Sequence, residues 1–137
     1  MTSEFMRDLL SKDEKITVEY KTCQFGIQED VYETVCSFSN RYGGYIIMGA
    51  EDDGTPIGVK QNMVKDMKRN FVNQLNNPDK MSPTLYLSIE DFEYEGKILL
   101  WVYVPPTATV EKCGNRIYDR NEDGDMDITD SPIQLQN

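Results

Sequence analysis

The run Tyr45-Ile46-Ile47-Met48-Gly49-Ala50, set between Gly43-Gly44 and Asp53-Gly54, restricts the fold more than any other feature of the chain. An unbroken apolar stretch of this length between glycine turns suits a strand buried on both faces, so elements must pack above and below it. A helix is expected before it. Gln28 to Asn40 carries Val31, Val35 and Phe38 at helical spacing, with Glu29 and Asp30 in the first turn, where they complement the helix dipole. After it, Asp52-Asp53-Gly54 suits a tight turn, and Thr55 to Val59 reads as a short return strand.

The rest of the chain alternates between the two periodicities. Glu4 to Leu10 reads as a short lead-in helix capped by Ser3, with Met6, Leu9 and Leu10 inward. From Ile16 the period is two: Ile16, Val18 and Tyr20 point one way, and Thr17, Glu19 and Lys21 the other. Asn62 to Asn76 places Val64, Met67, Phe71 and Leu75 on one stripe, with Lys65, Lys68 and Arg69 largely off it, and Asn77-Pro78 stops that helix. Leu85, Leu87 and Ile89 alternate with polar residues, and Glu95-Gly96 turns the chain into Ile98 to Val104, which predicts a β-hairpin. Arg116 to Tyr118 adds a last strand. The sum is an α+β domain with a mixed, largely antiparallel sheet and two main helices packed on it. Residues 1–11 form the lead-in, 12–130 the domain, and 131–137 a linker toward a further C-terminal region.

Composition removes several classes of function. The chain of 137 residues has no histidine, so a histidine zinc site, a Ser-His-Asp triad and a Cys-His pair are all excluded. Its three cysteines, Cys23, Cys36 and Cys113, are widely and irregularly spaced, as reduced thiols are. With no apolar run near the roughly 20 residues of a membrane span and no secretory leader, a cytoplasmic protein without a membrane partner is expected. A net charge of -10 repels a polyanion at long range, yet Lys60 to Lys80 is locally basic.

Four constellations could carry chemistry. Glu14, Glu19 and Asp52 would meet at one sheet end if their strands are neighbours, and convergent carboxylates suit a hard cation such as Mg²⁺ or Mn²⁺. Asp119, Asn121, Asp123, Asp127 and Asp130 fall at calcium-loop positions, with Gly124 at the sixth. No helix frames that loop and Asp130 replaces the usual glutamate, so an acidic surface hairpin is favoured over calcium binding. The glycines from Gly43 to Gly58 follow a helix and precede a strand, the reverse of a phosphate loop, which points to turn chemistry. Lys65, Lys68 and Arg69, with Arg116 and Arg120, form the candidate nucleic-acid surface; no aromatic-lined strand surface for base stacking is evident.

Taken in order, Val18-Glu19-Tyr20-Lys21, Cys36-Ser37-Phe38-Ser39-Asn40-Arg41-Tyr42-Gly43-Gly44, Ile46 to Gly54 and Ile57-Gly58 resemble the Schlafen AlbA-type family, also called divergent AAA domains. The family pattern has phenylalanine where this chain has Tyr20 and alanines where it has Ser37 and Ser39. Within that pattern Asn40 is expected to cap the helix end, Gly43 and Gly44 to reverse the chain, and Gly49, Gly54 and Gly58 to shape the central hairpin. The resemblance implies a DNA-binding or transcription-regulator module acting on DNA or RNA, and it allows a homo-oligomer. In eukaryotic relatives three acidic residues cut RNA with a metal ion. By motif position these fall on Glu14, Glu19 and Asp52, with Lys21 placed to contact phosphate. A third reading is a protein-interaction domain with a structural calcium loop.

Overall fold

The apolar run is indeed enclosed. In the computed structural model, which describes residues 1–12 and 17–130, strand β2 (Gly44–Met48) lies between β1 (Val18–Lys21) and β5 (Lys97–Val104). The outer strand β4 (Glu90–Tyr94) completes the order β1-β2-β5-β4. Among the described strands only β1 and β2 pair in parallel, with Glu19 opposite Ile46 and Tyr20 opposite Ile47. Parallel neighbours need a crossover, and helix α2 (Asp30–Asn40) supplies it.

The pleat sorts the side chains. Ile46, Met48, Leu100, Val102 and Val104 face α2 and helix α3 (Val64–Leu75), where Val31, Val35, Phe38, Met67, Phe71 and Leu75 close the larger core. Val18, Tyr20, Ile47 and Leu99 face the other way, onto Met6, Leu9 and Leu10 of helix α1 (Ser3–Leu10). The lead-in helix is therefore the second cover of the central strand. Two short ladders complete the described residues: β3 (Met81–Ser82) with β6 (Lys112–Cys113), and the hairpin of β7 (Tyr118–Asn121) with β8 (Gly124–Asp127). Both β6 and the hairpin pack on α2.

Several local expectations shift. Thr2, not Ser3, caps α1, its hydroxyl accepting from the Phe5 amide at 3.1 Å. The stretch Leu85 to Ile89 lies outside the ladder; the hairpin strand is Glu90–Tyr94, and Leu85 is tied to the end of α3 through its amide to the Leu75 carbonyl at 2.9 Å. The return strand shrinks to one bridge, Ala50 to Pro56, because the amides of Ile57 and Gly58 both converge on the Gly49 carbonyl at 2.8 Å. At Gly54 the backbone is left-handed, with φ of +87°, and an added Cβ would lie 2.1 Å from the Leu10 carbonyl. A Gly54→Ala exchange must therefore strain the turn and push it off the end of α1. We expect a loss of at least about 2 kcal/mol, read by urea unfolding.

Candidate functional site

Because β1 alternates, Glu19 and Lys21 project to the same side as α2. The sequence treats that side as polar and open, but the β7–β8 hairpin covers it. Glu19 is only 7% exposed. Arg120 reaches in from β7, and its Nη1 donates to Glu19 Oε1 at 2.7 Å and to Asp125 Oδ1 at 2.9 Å. Its Nη2 donates to the Val18 carbonyl at 3.2 Å, and the guanidinium carbon sits 4.7 Å from the Phe38 ring centroid. Asp125 in turn accepts from Thr34 Oγ1 at 2.6 Å and from Ser37 Oγ at 2.5 Å, both on α2. Strand, helix and hairpin are thus joined through one buried cation. Arg120, expected on a basic surface, belongs to this interior, 4% exposed as a residue and held by these partners.

Outside this network lies a polar cavity of about 390 Å³, lined by Glu19, Lys21, Asp30, Asp52, Asp123 and Asp125 among others. The Lys21 ammonium donates to Asp30 Oδ2 at 2.9 Å. Burial works against its charge, yet that bond and the charges of Glu19, Asp30 and Asp125 hold its pKa above the usual value. Lys21 is therefore turned toward carboxylates. Glu19 and Asp52 border the same cavity, as adjacency of β1 and β2 requires, whereas Glu14 lies outside the described residues, as does Ile16. Among the described residues no three acidic or cysteine side chains stand close enough to hold a metal ion.

The stretch Asp119 to Asp130 contains the β7–β8 hairpin. Asp119 is claimed by Arg41, with Nε to Oδ1 at 2.8 Å and Nη2 to Oδ2 at 2.5 Å. Asn121 accepts from the Asp123 amide at 2.9 Å, and Asp127 pairs with Arg116 at 2.7 Å. Asp130 lies at the exposed end. The calcium-loop spacing of Asp119, Asn121, Asp123, Asp127 and Asp130 thus reads out as two antiparallel strands. The pairing Asp119 to Met126 and Tyr118 to Asp127 separates the donors along the ladder. Asp127 is held at about 2, chiefly by its bond to Arg116 and then by the Thr129 hydroxyl and amide.

The expected basic surface is similarly spoken for. Lys68 bonds Asp91, Arg69 meets Asp66 at 2.5 Å, and Arg116 meets Asp127; Lys65 is exposed on the outer side of α3. Asn40 does not cap its helix. The Gly43 amide closes the helix end onto the Phe38 carbonyl at 2.8 Å. Asn40 instead spans to a distant segment, donating to the carbonyls of Glu111 and Tyr118 at 2.9 Å each and accepting from the Glu111 amide at 2.7 Å. Asn40→Ala would orphan these backbone groups. The expected cost is about 2–3 kcal/mol, read as a fall in the thermal midpoint, with Asn40→Asp also destabilising because it cannot donate.

One group of residues escapes the sequence reading. Tyr45 and Tyr103 are paired across β2 and β5, with ring centroids 5.0 Å apart. Trp101 stands 6.3 Å from Tyr45 and Phe5 meets it edge-on at 5.5 Å. Phe5, Tyr45 and Tyr103, with Tyr42, border a cleft of about 300 Å³ beside α1. The available signal was the two-residue spacing of Trp101 and Tyr103, which puts both on one face of the sheet.

Comparison with known proteins supplies the context. The family described as Schlafen, AlbA_2 matches residues 14–129. Among curated proteins there is no match. Among solved structures, the N-terminal domain of a RecG-related protein from Nitrosomonas europaea is similar at 26% identity and a TM-score of 0.61, covering 76% of this chain and 72% of that one. The DIP2311 protein from Corynebacterium diphtheriae has a TM-score of 0.63 at 17% identity, a likeness of fold; it covers 88% of this chain, which spans 25% of that protein. A β1–α2–β2 crossover ending in Gly43-Gly44, the central Asp52-Asp53-Gly54 turn and a family match over nearly the whole described length agree, and the chain belongs to the Schlafen AlbA_2 family.

Proposed function

We propose that this domain is a nucleic-acid-binding module of a larger, cytoplasmic transcriptional-regulator-like protein. The observation that carries the reading is the family membership, joined to the likeness with the N-terminal domain of a protein named for its relation to an ATP-dependent DNA helicase. The charge balance sets the terms of binding. At a net charge of -10, with most of the predicted contact residues engaged by carboxylates, affinity for any polyanion is modest and falls with salt. Gel shifts with DNA and RNA, single- and double-stranded, at low ionic strength test this. A shift with at least one of them is expected. If none shifts, the acidic surface points to a protein partner and the proposal fails.

A second reading, metal-dependent RNA cleavage, is favoured by the common cavity of Glu19 and Asp52. Mg²⁺ or Mn²⁺ would be held there with Glu14 as the third carboxylate, polarising a phosphodiester and activating a water. Glu19→Ala is a poor control because Glu19 also pairs with Arg120. Asp52 is exposed, so Asp52→Asn should leave folding intact while abolishing Mn²⁺-dependent cutting of structured RNA. Uncut RNA with the unaltered protein at high concentration would remove this reading.

A further inference from the structure

We propose that the aromatic cleft beside α1 binds single-stranded nucleic acid by stacking bases on Tyr42 and Tyr103. This rests on the nucleic-acid reading above and assigns it a site and a class of substrate. Helix α1 has eight residues, about 12 Å of rise, and cannot cover a four-stranded sheet face. It buries Val18, Tyr20, Ile47 and Leu99 and, among the described residues, leaves the aromatic end uncovered. Tyr42 is 62% exposed, Tyr103 43% and Phe5 39%, and Tyr45 lies between the last two.

Electrostatics narrows the occupant. Lys21, Lys68, Arg69, Arg116 and Arg120 are each engaged by a carboxylate in a chain of net charge -10, so phosphate contacts add little to the affinity. The acidic cavity on the opposite face of the sheet repels a backbone. At the aromatic cleft the charged lining residues among those described are Asp8 and Lys12, of opposite sign and 3.8 Å apart, and the Arg41 guanidinium lies 6.0 Å from the Tyr42 ring. The charges of these two lining residues offset one another, unlike those of the acidic cavity. Affinity must then come from ring faces, which a single strand can use and a duplex, with its bases already stacked, cannot. The tyrosine rims also suit a wet, reversible contact.

The test is fluorescence anisotropy of the full chain with labelled oligothymidine and oligouridine of about 12 nucleotides, beside a duplex of equal length. One or both single strands should bind about tenfold more tightly than the duplex. Tyr42→Ala and Tyr103→Ala should each weaken binding about tenfold, while Tyr42→Phe retains it. With at most two phosphates engaged, log affinity against log salt should fall with a slope no steeper than about -1.5. Tyr42 is exposed, so its truncation leaves the core untouched and matching thermal melts will confirm that. If duplex and single strand bind alike, the tyrosine variants change nothing and Lys65→Glu weakens binding, this site is wrong while the nucleic-acid reading stands. If no nucleic acid binds at low salt, both fall.

Discussion

Arg120→Ala should destabilise the domain by about 3–5 kcal/mol, a large part of the 5–15 kcal/mol that holds a domain of this size together. The guanidinium is buried at 1% side-chain exposure and Glu19 at 9%, and the substitution would strand the Glu19 and Asp125 carboxylates without their shared cation. The hairpin would also lose its fastening to β1, since the Val18 carbonyl is bonded by the same group. Urea unfolding should show a midpoint lowered by more than about 1 M. Lysine is not a conservative replacement, because it lacks the planar fork that reaches carboxylate and carbonyl together. A double-mutant cycle with Glu19→Gln should give a coupling of about 1–3 kcal/mol, because the double variant no longer buries a Glu19 carboxylate that has lost its Arg120 cation. A loss below about 1 kcal/mol for Arg120→Ala would mean that the hairpin is held by other contacts.

The second large effect is a gain. Glu111 is 1% exposed, and among the described residues neither carboxyl oxygen has a hydrogen-bond partner, although its backbone is clasped by Asn40 and by the Cys36 thiol at 3.0 Å. Desolvation alone pushes its pKa from 4.5 up to about 7. The folded state therefore binds this proton more tightly than the unfolded chain does. Its contribution is fully present below 4.5, is lost as pH rises toward about 7, and is constant above that. At about 1.4 kcal/mol per pKa unit, the loss approaches about 3 kcal/mol. Glu111→Gln, which mimics the protonated form, should match the wild type near pH 4 and exceed it by about 2–3 kcal/mol at pH 8. Equal stabilities of the two proteins at pH 8 would show that the carboxylate finds solvent or a cation.

The departures from the family pattern acquire reasons in three dimensions. The Tyr20 hydroxyl donates to the Leu9 carbonyl at 2.5 Å and also bonds the Lys12 carbonyl, fastening the end of α1, which phenylalanine could not do. Ser37 supports Asp125, and Ser39 meets the Thr107 hydroxyl at 3.2 Å. Each serine is buried in α2 against a segment roughly seventy or more residues away. An alanine fits the same helix, but it could neither donate to Asp125 of the hairpin in place of Ser37 nor meet Thr107 in place of Ser39.

What the chain determines by itself is local. The apolar run from Tyr45 made a buried strand inevitable, the spacing of Val31, Val35 and Phe38 made the preceding helix, and Asp53-Gly54 made the turn, because periodicity and turn chemistry act over a few residues. Tertiary structure decided which polar groups meet. Arg120 and Glu19 are 101 positions apart, and Asn40 and Tyr118 are 78 apart. No periodicity distinguishes a charge that will face water from one that a distant hairpin will cover. The aromatic cleft is of the same kind: the rings of Phe5, Tyr45 and Tyr103 are scattered along the chain, and only the register of β2 on β5 and the shortness of α1 leave them together at the surface.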